Sequence, residues 1–213
     1  MKDIKSKVSK NRRSKFEVDA AINQAATEEI LKKGFTDTLV SDIIKRAKIE
    51  PVVFYTRYKN LSEFYDELVK EYDYWFHDVL KQERSEVEEK EYKGIMTGLL
   101  ATLLQSPMML ELLRWEVNSD NETTKRTAQL REFHTLPLAD KYDKLFKESN
   151  LDIVAISSLM IGGIYYMCLH KDRSPFCGID LNTSEGVDRI KKALISLSSL
   201  MFQQNKIKDL QSE

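Results

Sequence analysis

The sequence predicts an all-α protein in two parts, an N-terminal helix-turn-helix domain of three helices and a larger C-terminal helical domain. Only 7 Gly and 4 Pro punctuate 213 residues, whereas a sandwich or barrel needs a turn signal every ~8 to 12 residues. Apolar residues recur at intervals of three and four over most of the length, the period of a helix with one buried face. With 42% hydrophobic and 31% charged residues, the chain is too apolar to stay disordered. It is also long enough to bury a core without metal or disulfide.

The first helix starts at Phe16, carries Ile22, Ala25, Ala26 and Ile30 on one face, and stops near Lys33, where Gly34 offers a left-handed cap. Thr38 is a candidate N-cap for a short second helix bearing Leu39, Val40, Ile43, Ile44 and Ala47. Glu50 has the same role for a third bearing Val53, Phe54 and Tyr58. Only Ala47, Lys48 and Ile49 lie between these two helices. So short a link forces a steep crossing, which is the helix-turn-helix arrangement. Asn60 and Glu63 have capping-box spacing and open a fourth helix, in which Phe64, Leu68, Tyr72, Trp75 and Val79 repeat for about five turns.

Past the acidic stretch 83–91, helical patterns cover 92–105, 108–117, 123–134, 140–147, 151–170 and 185–204. Pro107 and Pro137 mark breaks, since proline lacks an amide donor. Residues 172–186, with Pro175, Gly178 and Gly186, form the one long loop. The expected division is a basic arm over 1–15, the helix-turn-helix domain over 16–60, the second helical domain over 61–204 and a polar tail over 205–213.

Charge separates the same parts. The balance of 33 Lys/Arg against 34 Asp/Glu hides a first stretch, 1–60, with 14 basic and 8 acidic residues, and a remainder with 19 and 26. Residues 2–15 carry Lys2, Lys5, Lys7, Lys10, Arg12, Arg13 and Lys15 against Asp3 alone, with too few apolar residues to fold by themselves. Such an arm is either a solubilising tail or a polyanion-seeking segment, whose attraction falls steeply with salt.

Residues 153–170 lack a formal charge over 18 positions, the length of a membrane span. Ser157, Ser158, Gly162 and Gly163 dilute the apolar character, and Asp152 and Lys171 bound it closely. A helix buried all round, in a core or between subunits, is expected there, with no membrane. The first 17 residues hold only Ile4, Val8 and Phe16 as large apolar side chains, so no secretory signal is expected and the location is cytoplasmic. Cys168 and Cys177 are too few for a disulfide framework or a four-ligand zinc site.

An enzyme is not expected. His77, His134 and His170 stand on separate segments, and neither a His-Glu-x-x-His, a Gly-x-Ser-x-Gly nor a glycine loop for phosphates occurs. No catalytic residue, metal or cofactor is therefore expected. The cysteines leave a redox sensor open as a minor alternative.

The run 34–60 carries a resemblance. Gly34-Phe35, the Val40-x-Asp42-Ile43 core of the second helix, and Phe54-Tyr55-x-x-Tyr58-Lys59-Asn60 resemble the DNA-binding domain of the tetracycline-repressor (TetR) family of bacterial regulators. About a quarter of the chain is covered. The resemblance implies a transcriptional regulator, by the family's habit a repressor, that binds double-stranded DNA. A short helix presented past a tight turn fits the major groove. By position Pro51, Val53 and Thr56 then face bases, Pro51 and Val53 through apolar contacts such as a thymine methyl. Tyr55, Arg57 and Lys59 grip phosphate, Thr38 offers its hydroxyl and helix amides to a phosphate, and Ser41 reaches a base or a phosphate. Val53 as core and Tyr55 as a cover for the hinge are the plainer alternatives. Three residues depart from the pattern: Lys48 stands where the family usually has Gly, Val52 replaces a frequent small residue, and Leu61 replaces a Lys that commonly touches the DNA backbone.

For the second domain the resemblance implies a ligand-binding and dimerisation role. The C-terminal helix pair would form a homodimer, with Gly162 and Gly163 permitting close approach and Leu194, Leu197 and Met201 on the apolar face. Such a dimer binds a pseudo-palindromic operator. An unknown small-molecule effector would sit among Trp115, Glu116, His134, Tyr142, Met160 and Tyr165 and push the fourth helix. Plain core packing is the alternative for each aromatic, and Arg114 or another base is the alternative partner for Glu116. The rival function is a helical interaction protein that has lost DNA binding.

Overall fold

The computed structural model describes residues 13–72 and 74–209. Most of the basic arm and the end of the polar tail lie outside these residues. The chain divides into two compact units between Phe64 and Tyr65. Among the described residues the regular structure is helical, the exception being an isolated bridge between Phe176 and Ile179.

In the first unit, α1 (Lys15–Asp37) is opened by a capping box: the Ser14 hydroxyl accepts from the Glu17 amide, and the Glu17 carboxylate accepts from the Ser14 amide. Ile22, Ala25, Ala26 and Ile30 are buried, as the spacing predicts. Gly34 at φ 82° interrupts the helix at the expected cap position, and one further turn carries Phe35 into the core. Helix α2 (Val40–Ala47) starts one residue later than expected. Leu39 is its N-cap residue, and the Asp42 carboxylate accepts the Leu39 amide in place of a threonine cap. Helix α3 (Pro51–Tyr55) is only five residues long, and α4 (Leu61–Val69) is opened by the Asn60 side chain accepting from the Glu63 amide.

Lys48 forms the turn between α2 and α3 in the left-handed region, at φ 54° and ψ 51°, and its amide closes α2 onto Ile44 and Lys45. A side chain there costs ~1 kcal/mol relative to glycine. Lys48→Gly is expected to stabilise the first unit by up to about 1 kcal/mol, less what glycine's freedom in the unfolded chain takes back. A thermal melt in which the variant unfolds earlier than the parent would contradict this.

The second unit contains the rest of α4, a 3₁₀ turn at Lys70–Tyr72, and helices α5 (Trp75–Gln82), α6 (Glu88–Gln105), α7 (Pro107–Asn118), α8 (Glu122–Leu145), α9 (Ile153–His170) and α10 (Ser184–Asp209). Helix α6 is central. Its Tyr92, Ile95, Met96, Leu99, Leu100 and Leu103 are buried, and α5, α7, α9 and α10 all pack on it. The single five-turn fourth helix expected from the apolar repeat is instead α4, the 3₁₀ turn and α5. Tyr72, Asp73 and Tyr74 are a run of weak helix formers, and the apolar phase continues past them into Trp75, Phe76 and Val79.

Pro137 does not break the chain either, since α8 runs through it. An Asn121 cap secures the start of α8. The Phe133 carbonyl that Pro137 deprives of a partner lies on an exposed stretch, where water can satisfy it. The bridge at Phe176 and Ile179 closes a tight turn with Cys177 at φ 50° and Gly178 at φ 75°.

Helix α9 is not buried all round. Only 22% of its 18-residue apolar window, of mean hydropathy 1.6, is buried within the chain, and by length and composition it is able to cross a membrane. Ile153, Ile164 and Cys168 face inward, while Leu159 is 78% exposed.

Candidate nucleic-acid interface and ligand cavity

The position of α3 follows from one side chain. Phe54 is fully buried, with ring centroids of Tyr55, Tyr58 and Phe64 at 5.5, 5.3 and 5.6 Å. With Phe54 turned in, Val52 and Thr56 fall on the opposite side of so short a helix, and Pro51 and Tyr55 are exposed beside them. Ser41 on α2 and Lys59 beyond α3 are exposed too. Neither Lys48 nor Lys59 makes a salt bridge among the described residues.

The angle of α2 is held by charge pairs to α1. Lys33 bonds Asp42 at 2.6 Å, and Arg46 bonds Glu29 at 2.6 Å and Glu28 at 2.8 Å. Lys33 accordingly holds the Asp42 carboxyl below its ordinary range, and Arg46 does the same for Glu29.

Three expectations need correction. Thr38 is fully buried and its hydroxyl donates to the Gly34 carbonyl at 2.7 Å, so it is not offered to a phosphate. Arg57 donates to Asp19 at 2.5 Å and to the Val53 carbonyl at 2.9 Å. Its guanidinium braces α3 against α1 and is not turned outward. Val53 is half-buried, and its neighbour Val52, 64% exposed, is the outward apolar residue of α3. The signal was available: once Phe54 is assigned to the core, Val52 and not Val53 falls opposite it.

In the second unit a cavity of about 400 Å³ opens between α5, α6, α8 and α9. Tyr142 and Tyr165 line it, as expected. The other four candidates lie outside its lining. Trp115 packs edge-on against Tyr65 at 5.4 Å. Glu116 is committed to Arg131 and accepts the Thr127 hydroxyl at 2.7 Å. His134 lies against Tyr74 at 5.2 Å, with its Nδ1 buried and unpartnered. The Met160 sulfur lies 3.9 Å from the Tyr92 hydroxyl. Helical spacing marks apolar faces without saying which of them leave a gap, so it does not single out Phe76, Tyr92, Arg131, Ser157 and Ile161.

Burial raises the phenols of Tyr92 and Tyr165 above their ordinary value, so both carry their proton at neutral pH. Burial also pushes the Cys168 thiol up to about 12, which keeps that thiol protonated and unreactive at neutral pH.

The expected interface residues separate into two groups. Gly162 and Gly163 are exposed with open space where a Cβ would stand, and they continue a bare stripe of α9 through Ala155, Leu159 and Tyr166. Leu197 is 48% and Leu200 61% exposed on α10. Leu194 and Met201 are buried in their own chain, because they lie on the side of α10 that packs against α6. They are core residues, not interface residues.

No family model and no curated protein matches the chain. Solved structures do. They include a transcriptional regulator from Aquifex aeolicus VF5, with TM-score 0.63 and 16% identity over 86% of this chain and 99% of that one. A TetR-family transcriptional regulator from Streptomyces coelicolor gives 0.62 and 10% over 88% and 95%. FadR from Bacillus subtilis, solved in complex with stearoyl-CoA, gives 0.62 and 16% over 84% and 96%. The chain thus has the fold of the TetR-family transcriptional regulators, all-helical with an N-terminal helix-turn-helix and a C-terminal helical domain.

Proposed function

We propose that this chain is a ligand-responsive transcriptional regulator of the TetR family, a cytoplasmic repressor that binds a pseudo-palindromic DNA operator as a homodimer and is released by a small molecule. The observation that carries the reading is the outward side of α3. Pro51, Val52, Tyr55 and Thr56 stand exposed on a short helix set by a buried Phe54, at the end of a fold shared with transcriptional regulators. A helix so presented is suited to a major groove, with Pro51, Val52 and Thr56 toward base edges and Ser41, Tyr55 and Lys59 toward phosphates. Two such helices one duplex turn apart require a two-fold dimer, for which the bare stripes of α9 and α10 supply the apolar surface. Release requires a ligand whose affinity differs between two settings of the DNA-binding heads, and α4, which begins in one unit and continues into the other, is the element to transmit it.

Selection of sites from random double-stranded DNA tests the reading. Recovery of an inverted repeat with half-sites about one duplex turn apart is expected. The absence of enrichment at low salt would favour a helical interaction protein instead.

The same site tests the arm. Deleting residues 1–12 removes Lys2, Lys5, Lys7, Lys10 and Arg12 and spares Ser14, which caps α1. Operator affinity is expected to fall, and the slope of log K against log salt to flatten by roughly 0.9 for each phosphate the arm no longer neutralises. An unchanged slope in a salt titration would refute a role for the arm.

A further inference from the structure

We propose that the cavity of the second unit takes an uncharged, largely apolar molecule carrying a hydrogen-bond acceptor, such as a ketone oxygen, which the Tyr165 hydroxyl holds. The proposal rests on the reading of this cavity as the effector site.

An inventory of protons on the wall leads to it. Ser157 donates to the Ile153 carbonyl at 2.6 Å, Ser158 to Val154 at 2.9 Å and Thr135 to Glu132 at 2.7 Å. Tyr142 donates to Glu91 and to the Glu88 carbonyl. Tyr92 and Ser157 are 2.7 Å apart, and since the Ser157 proton is already engaged, Tyr92 is the donor of that pair. Every lining hydroxyl so far has used its proton on the protein. Tyr165 differs. It stands on the cavity wall, and among the described residues no hydrogen bond takes up its hydroxyl. The phenol proton therefore remains for a bound acceptor.

Charge on the wall is already cancelled. Arg131 is its only cation, and its side chain, 11% exposed, pairs with Glu116, 10% exposed. An anionic ligand would have to share Arg131 with the buried Glu116 carboxylate, setting two negative charges against one cation. A cationic ligand meets no free carboxylate inside. Glu91 is engaged by Lys141 and Tyr142, and Glu132, the one lining carboxylate, is exposed to water. The remainder of the wall is apolar and aromatic, including Phe76, Ile95, Met96 and Ile161.

Four isosteric probes test this on the full-length protein: 4-(2-naphthyl)butan-2-one, 3-(2-naphthyl)propanoate, 4-(2-naphthyl)butan-2-ammonium and 2-butylnaphthalene. Affinities come from calorimetry, and nuclear Overhauser contacts from naphthyl protons to the methyls of Ile95, Met96 and Ile161 locate the site. The ketone is expected to bind about tenfold or more tightly than either charged isostere. Tyr165→Phe, which keeps the ring, is expected to weaken the ketone about fivefold and leave 2-butylnaphthalene unchanged. A charged isostere that matches or exceeds the ketone at these methyls overturns the proposed class while the site stands. So does a ketone affinity indifferent to Tyr165→Phe. If no probe contacts these methyls, the reading of the cavity as an effector site fails, and the proposal fails with it.

Discussion

Leu159→Arg is expected to leave the chain folded and to make it monomeric. Leu159 is 78% exposed at the middle of the bare α9 stripe, beside Gly162 and Gly163. The substitution therefore takes nothing from the chain's own core and should leave the melting temperature of the isolated chain nearly unchanged. In a two-fold interface the same position meets its own counterpart or a close neighbour. Two desolvated arginines there cost about 3 kcal/mol or more, a hundredfold or larger rise in the dimer Kd. Operator affinity should fall in parallel, since each half-site is then bound without its partner. Sedimentation equilibrium in buffer without detergent reads the result. A parent chain that sediments as a monomer, or only with lipid bound to α9, would contradict the choice of a second copy to cover this surface and turn attention to the span-like length of the helix.

Phe54→Ala is expected to have the largest effect on the first unit. The side chain is fully buried among Tyr55, Tyr58 and Phe64, and truncating a buried phenylalanine costs about 3–5 kcal/mol. A five-residue helix has no stability of its own, so α3 should lose its orientation along with its anchor. Amide exchange in α1 to α3 should accelerate by about two orders of magnitude or more, corresponding to that cost, and operator binding should vanish. Val52→Ala supplies the contrast. Its side chain is 64% exposed, so exchange should change little while DNA affinity falls. Equal exchange in the Phe54→Ala variant and the parent would contradict the anchoring role.

Local rules read the first unit well because its elements are short and each end has a chemical cause. Gly34 ends the main run of α1, Lys48 makes the turn, and Asn60 with Glu63 opens α4. The errors there came from partners that no local pattern marks. Nothing near Arg57 reveals that Asp19 will claim it, and although a threonine hydroxyl can bond the carbonyl four residues back, nothing near Thr38 reveals that a closed core will bury it.

In the second unit the period of α6 and α10 marked a buried side, yet a buried side packs against either the chain itself or a second copy. Leu194 and Met201 went to the chain's own core, and Leu197 was left outside it by about a quarter-turn of helix. The cavity was least legible. Its wall is what four helices fail to fill, a property of side chains brought together from Phe76 to Tyr165 and not of any one of them. Pro137 shows the complementary limit. A local rule for ending a helix was overridden where an exposed carbonyl could turn to water.

Entry of the outward side of α3 into a DNA duplex is read by photo-crosslinking, with p-benzoylphenylalanine placed singly at Tyr55, at Val52 and, as a control, at Phe133, which is 68% exposed on α8. Illumination with the selected operator should join the probes at 55 and 52 to bases within the half-site and leave the probe at 133 unattached. Equal yields from all three positions, or none from 55 and 52 while the duplex is bound, would contradict it.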